Sequence, residues 1–225
     1  MDVLDGLALE QIKSLINFTD NWFETNKKLV EYLKLRKKML GFLGEIETVK
    51  ILHDKFRDKI SKISWYGAGK KGYDIEIMPK VGNPIRIQVK TSLKAAFRVL
   101  NVGGADKYRE EIEKAYNSTE RFVMPKAFAA EISKQIDDTQ ADYWILIDWP
   151  ETGKRFFILT KEEVKQIAVK DYERYMNNRK SSNRKHNRRF NYGITSSGAI
   201  GIIVHYADWI DYFEKCKDKW EKLKI

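Results

Sequence analysis

Two short runs constrain this chain more than any other feature. Asp74-Ile75-Glu76-Ile77-Met78 and Ile85-Arg86-Ile87-Gln88-Val89-Lys90 alternate polar and apolar side chains, and Pro79-Lys80-Val81-Gly82-Asn83-Pro84 separates them. Successive side chains of a strand point to opposite faces, and a Pro/Gly/Asn cluster between two alternating runs marks a turn. The pattern therefore predicts two adjacent strands. Ile75, Ile77, Ile85, Ile87 and Val89 face a core, while Asp74 and Glu76 share the opposite face with Arg86, Gln88 and Lys90. A carboxylate, a carboxamide and an ammonium then lie side by side. Taken alone, that face is equally compatible with a cross-strand Asp74–Lys90 ion pair of little energetic consequence.

The rest of the chain surrounds this pair with helices and further strands. Residues 3–40 read as mostly helical, because Leu7, Leu15, Trp22, Leu29, Leu33 and Leu40 recur among charged residues without a proline. A second helix follows from Gly41 to Phe56, then an extended stretch Ile63–Tyr66 and a flexible loop Gly67–Gly72. Helices are expected around 105–116 and 125–137, with Pro125 suited to a first helical position. Tyr143–Asp148 and Phe156–Leu159 read as a strand pair, and Thr160 with Glu163 as a capping box opening a helix to about Met176. A late strand over Ala199–Val204 and an amphipathic helix over 208–223 complete the pattern. This order belongs to a mixed α/β fold. It divides into a helical extension (1–40), a core (41–167) and a basic C-terminal elaboration (168–225) packed with that core.

The helix at 41–56 adds the element that turns a polar sheet face into a candidate site. Glu45, Val49, Leu52 and Phe56 fall on one helical stripe, so Glu45 heads the apolar face, with Glu47, Lys50 and Asp54 on the more polar side. An acid aimed at the interior is costly unless it is paired or binds a metal. Glu45, Asp74 and Gln88-Val89-Lys90 together resemble the PD-(D/E)xK nuclease superfamily, which includes restriction endonucleases and Holliday-junction resolvases. The resemblance spans roughly Gly41 to Ile167. It departs from the family pattern twice: Tyr73 stands where a proline usually precedes the aspartate, and Gln88 stands where an acid is usual.

The resemblance implies a restriction endonuclease-like mixed sheet flanked by helices and a Mg²⁺-dependent endonuclease acting on DNA, with Mn²⁺ as a substitute ion. Asp74 would be the main metal carboxylate, joined by the Gln88 side-chain carbonyl and the Val89 backbone carbonyl. Glu45 would hold a water or a second ion. Lys90 would orient or deprotonate the attacking water, or stabilise charge developing at phosphorus. Glu76 is a minor candidate, and Thr91 and Ser92 could contact a phosphate or simply be polar residues at a strand end. Cutting both strands of a duplex calls for two sites, hence a homodimer.

Charge agrees with a polyanionic partner. The 225 residues hold 42 Lys and Arg against 32 Asp and Glu, a net charge of +10. Arg174, Arg179, Lys180, Arg184, Lys185, Arg188 and Arg189 fall in an acid-free stretch and supply 7 of those 10 charges, leaving 3 for the remainder. Phosphate contacts are expected from this stretch and from Lys70 and Lys71 in the 67–72 loop, although a solvated basic loop has the same composition. Hydrophobic residues at 43% and aromatic residues at 12% exclude a wholly disordered chain. No apolar run is long enough to cross a bilayer, and Asp2 and Asp5 stand where a secretory signal would need basic residues. With Cys216 as the single cysteine, neither an intrachain disulfide nor a cysteine-built zinc site can form, and a cytoplasmic protein is expected. Two other functions remain open: a structure-specific junction or repair nuclease, and a catalytically weakened nucleic-acid-binding protein on the same scaffold.

Overall fold

The alternating runs become neighbouring strands near the middle of a five-stranded sheet. The computed structural model describes residues 36–67, 72–118, 121–150, 153–181 and 192–225. Helix α1 (Arg36–Phe56) leads into three antiparallel strands, β1 (Ile60–Trp65), β2 (Ile75–Pro79) and β3 (Ile85–Ser92). Strand β4 (Ala96–Val102), helix α2 (Arg109–Ser118) and helix α3 (Lys126–Asp137) form the crossover to β5 (Tyr143–Asp148), which lies parallel to β3. Strand β6 (Arg155–Thr160) returns antiparallel beside β5, giving the order β1-β2-β3-β5-β6. Helix α4 (Lys161–Ser181) follows. Strand β7 (Ile200–His205) pairs with β4 as a separate two-stranded ribbon, and α5 (Ile210–Glu214) is a short helix near the end. The mixed α/β expectation is met: a mixed sheet and a ribbon flanked by helices.

One layer of the core lies between α1 and the sheet. Ile46, Val49 and Leu52 of the helix pack with Trp65, Ile75, Ile77, Ile87, Val89, Ile145 and Ile147, all buried. The second, larger layer joins the ribbon and helices α2, α3 and α4 to the other side, through Phe97, Phe128, Trp144, Phe157, Tyr172 and Phe213. Burial of this much apolar surface is the main favourable contribution to folding. Thr160 and Glu163 form the expected capping box: Thr160 N–H donates to Glu163 Oε2 at 2.8 Å and Glu163 N–H to Thr160 Oγ1 at 3.2 Å.

Several expectations are corrected. The break placed at Gly41 does not exist, because α1 runs continuously from Arg36 to Phe56 and carries both Gly41 and Gly44. The divisions at 40/41 and 167/168 each fall inside a helix, α1 and α4. Glu47 is not on a polar face: it is buried and ion-paired with Lys154 at 2.8 Å. The 208–223 helix is replaced by α5 and 3-10 turns at Tyr206–Asp208 and Trp220–Leu223. Its apolar spacing is met by burial of Phe213, Cys216, Trp220 and Leu223. The backbone there serves the open edge of β6 instead, with Ile158 N–H donating to the Cys216 carbonyl and Asp218 N–H to the Phe156 carbonyl. Strand β4 was not expected at all. The helical reading of residues 3–35 lies outside the described residues. Among those described, no helix is long and apolar enough to cross a membrane.

Candidate functional site

The site forms where the β2–β3 ladder stops. Ile75 pairs with Ile87, and Asp74 N–H donates to the Ile87 carbonyl at 2.9 Å. The next donor on that side of β3, Val89 N–H, meets no strand carbonyl. It donates to Asp74 Oδ2 at 2.7 Å. The Gln88 carboxamide Nε2 donates to the same oxygen. The aspartate side chain thus satisfies a sheet donor left over as the strands diverge. Backbone groups of one residue lie on the same edge of a strand, so the Val89 carbonyl faces the same notch.

Asp74 is held there on both sides. Tyr66 N–H donates to its carbonyl at 2.9 Å. Two residues upstream, Gly72 adopts φ +102°, and a Cβ there would fall 2.0 Å from the Thr139 carbonyl oxygen. Only glycine satisfies both conditions.

Glu45 arrives from α1. The helix can sit close to β3 because Gly44 has no side chain: a Cβ would lie 1.9 Å from Thr91 Oγ1. That close approach brings the following residue, Glu45, to the notch. Trp65, at the end of β1, donates its indole N–H to Glu45 Oε2 at 2.6 Å and packs edge-on against Phe42. Buried indole N–H groups need such a partner. Sequence reasoning missed both Gly44 and Trp65. The tryptophan's polar handle at a strand end was the available signal, whereas nothing local marks Gly44 as a contact point.

Glu45 feels the charges of Asp74 and Lys90, and Asp74 feels that of Lys90. Burial raises the Glu45 carboxyl from its ordinary 4.5 to about 7; the Asp74 carboxylate adds to the rise, while the Trp65 hydrogen bond and the Lys90 charge oppose it. Asp74 is also raised by burial, against the pull of Lys90, the Val89 N–H and the Gln88 amide. Two carboxylates removed from water therefore share one nearby ammonium, and proton binding relieves what the lysine does not. Glu45, Asp74, Gln88 and Lys90 thus lie around one notch: Gln88 is hydrogen-bonded to Asp74, and Lys90 acts on both acids.

This donor set fits a hard divalent cation. It offers two carboxylates, a carboxamide oxygen and a backbone carbonyl, and Mg²⁺ takes one or two carboxylates with waters and phosphate oxygens. Among the described residues, no group of three or more Asp, Glu, His or Cys side chains could hold a metal ion. An ion at the notch would therefore depend on neutral oxygens beside the two acids.

Other candidates separate from this centre. Glu76 accepts from Tyr66 and Tyr73 hydroxyls and from Arg86 Nε, each at 3.1 Å, which makes it the anchor of a polar cage and not a ligand. Ser92 Oγ accepts from the Lys94 and Ala96 N–H groups, each at 3.1 Å, and shapes the turn into β4. Thr91 Oγ1 is buried against α1. Arg174, Arg179 and Lys180 lie on α4, and Arg174 is ion-paired with Asp171 at 2.9 Å and with Asp208 at 3.0 Å. Arg179 donates to the Tyr175 hydroxyl and Lys180 lies over the Tyr116 ring. Lys70, Lys71, Arg184, Lys185, Arg188 and Arg189 lie outside the described residues. No protein-family model matches the chain, and no curated protein matches it in sequence.

Proposed function

We propose that this chain is a Mg²⁺-dependent endonuclease that hydrolyses DNA phosphodiester bonds, with a restriction endonuclease-like core. The observation that carries this is the meeting of Glu45 and Asp74, both with raised carboxyl pKa values, with Lys90 at the notch beside Val89. A helix, three antiparallel strands and a parallel fourth strand reached by a helical crossover support the resemblance at the level of architecture.

Hydrolysis at phosphorus needs an oriented water, stabilisation of charge on the phosphoryl oxygens and help for the leaving oxygen. A divalent ion, when bound, supplies charge stabilisation and a more acidic water. The chain's own residues supply the rest. Asp74 and Glu45 would hold the ion, and Trp65 fixes the Glu45 carboxylate by donating its indole N–H. Lys90 places an ammonium beside both acids, where it can orient the attacking water or meet negative charge on the phosphate. Gln88 holds Asp74 in position through its amide N–H. A homodimer would supply the second site needed to cut both strands.

A plasmid nicking assay with Mg²⁺ tests this reading. Wild type should cut, while Asp74→Ala and Lys90→Ala should bind DNA but not cut it. Equal binding with no cutting by all three proteins would leave a binding module on a nuclease-like scaffold. Gln88, a neutral group where an acid would bind the ion more strongly, is the observation that favours that second reading.

A further inference from the structure

Beside Lys90 the surface opens into a groove of about 660 Å³ that runs from the end of β3 onto the β4–β7 ribbon. Among the described residues, its charged and ionisable lining consists of Lys90, Lys94, Arg98 and His205, with no acid. The strands explain this one-sided face. Phe97, Val102, Ile202 and Val204 are buried in the core, so the alternate residues face outward. Ala96 pairs with His205 and Arg98 with Ile203. A register shift between Arg98 and Leu100, with Val99 as the extra residue, ends this regular alternation.

Arg98 and Lys94 differ from the arginines around them. Arg86, Arg155 and Arg174 are each ion-paired, with Glu76, Asp148 and Asp171. Arg98 and Lys94 are exposed and have no carboxylate at ion-pair distance among the described residues. The Arg98 guanidinium lies across Gly201 of β7, where a Cβ would stand 3.4–3.6 Å from Nε, Cζ and Nη2. Lys94 projects from a turn fixed by Ser92. These exposed cations stand on or beside a paired ribbon that shares a groove with Lys90. A second cavity of about 280 Å³ shares Ile203 and His205 with the groove and continues toward Tyr175 of α4.

We propose that the outer face of the β4–β7 ribbon is the track for the DNA strand leaving the notch, with Lys94, Arg98 and His205 contacting phosphates that flank the scissile one. This rests on the nuclease reading of the notch, and it assigns phosphate contacts to a segment outside the basic stretch at 174–189. Positively charged side chains with no carboxylate partner among the described residues suit a phosphate backbone, because each contact releases condensed counterions.

Titrating a labelled DNA duplex with full-length protein, in EDTA and over a range of salt, tests the track without requiring cleavage. Lys94→Ala and Arg98→Ala should each weaken binding about tenfold at about 0.1 M salt. Each should also flatten the slope of log K against log salt by about 0.9. Lys134→Ala, an exposed lysine on α3, is the control and should change neither. Unchanged thermal midpoints for both ribbon variants exclude misfolding as the cause. Wild-type affinity and slope in both variants would overturn the proposal, as would no duplex binding by wild type. Polyglutamate competing as well as DNA for the ribbon would also overturn it, by assigning the face to an acidic polypeptide. Ribbon-dependent binding without any cleavage in Mg²⁺ would keep the track and remove hydrolysis. Cleavage unaffected by either variant would do the reverse.

Discussion

Replacing Glu45 by glutamine should stabilise the metal-free protein at alkaline pH and leave it unchanged in acid. Burial, with the Asp74 charge added, raises the Glu45 carboxyl from 4.5 to about 7 in the folded state. The folded protein therefore binds this proton more tightly than the unfolded chain does. The resulting penalty is absent below about pH 4.5, grows between there and about 7, and is complete above. Its ceiling is about 3 kcal/mol, at about 1.4 kcal/mol per pH unit. Glutamine keeps an oxygen for the Trp65 indole, whose bond to Glu45 is 2.6 Å, and the rise to about 7 already includes that bond's preference for the charged carboxylate. The gain is therefore about 3 kcal/mol, or about 6–12 °C in melting temperature for a chain of this size. Thermal unfolding at about pH 5 and about pH 8 in EDTA measures it. Added Mg²⁺ should raise the wild-type midpoint and reverse the ranking, because ligand binding to the native state stabilises only the protein that keeps both acids. A variant that melts at the wild-type temperature at both pH values in EDTA would show Glu45 to be an ordinary solvated carboxylate, and the cation site would fail with it.

Gly44→Ala should lower the urea midpoint by about 1–3 kcal/mol in stability, because its Cβ would fall 1.9 Å from Thr91 Oγ1 and 3.2 Å from Ile147 Cδ1. Cutting should fall too, since the displaced helix carries Glu45; an equally stable and active variant would refute the close-approach account. Gln88→Glu should lower the Mg²⁺ concentration for half-maximal nicking about tenfold, because charge count among the ligands tunes affinity for hard cations. In EDTA at neutral pH it should destabilise the fold, since a third carboxylate would replace the donor that now meets Asp74. Arg174→Ala should cost about 3 kcal/mol in a denaturant titration and leave the salt slope of DNA binding unchanged. Among the described residues, it would leave the buried Asp171 carboxylate with the Trp209 indole N–H, at 2.9 Å, as its remaining side-chain donor.

Short-range chemistry was legible in the sequence, and long-range geometry was not. The β2 and β3 alternation, the Thr160–Glu163 capping box and the Glu45 stripe are local patterns that tertiary structure left standing. Strand β4 escaped because its bulge at Val99 breaks the period-two signal in Phe97-Arg98-Val99-Leu100-Asn101-Val102, and its partner lies a hundred residues away. The C-terminal segment misled for a related reason. Phe213, Cys216, Trp220 and Leu223 have helical spacing, but the open edge of β6 claimed the backbone at 216–218, and Asp218 turned to φ +53°. Arg174 was read as one charge in a basic run because nothing in the run itself places Asp208 beside it.

The location of the notch follows from a strand pairing that ends early. Had the β2–β3 ladder continued past Ile75 and Ile87, Val89 N–H would have been bonded to a strand carbonyl and Asp74 pushed out toward solvent. The divergence leaves one donor and one carbonyl of Val89 without ladder partners, and the Asp74 side chain answers the donor. Moving the carboxylate inward to do this raises its pKa, as it does for Glu45 above it. The same departure from regular sheet geometry thus creates the opening, draws in the acid and leaves its charge only partly compensated. Asp74→Asn separates these roles: the amide oxygen still accepts from Val89, so the fold should hold, while the charge available to a cation is lost. Stability near wild type in EDTA with no Mg²⁺-dependent rise in melting temperature is the expected pair of results. A collapse of the fold in EDTA would mean that the charge itself, and not the acceptor geometry, holds the strands at this point.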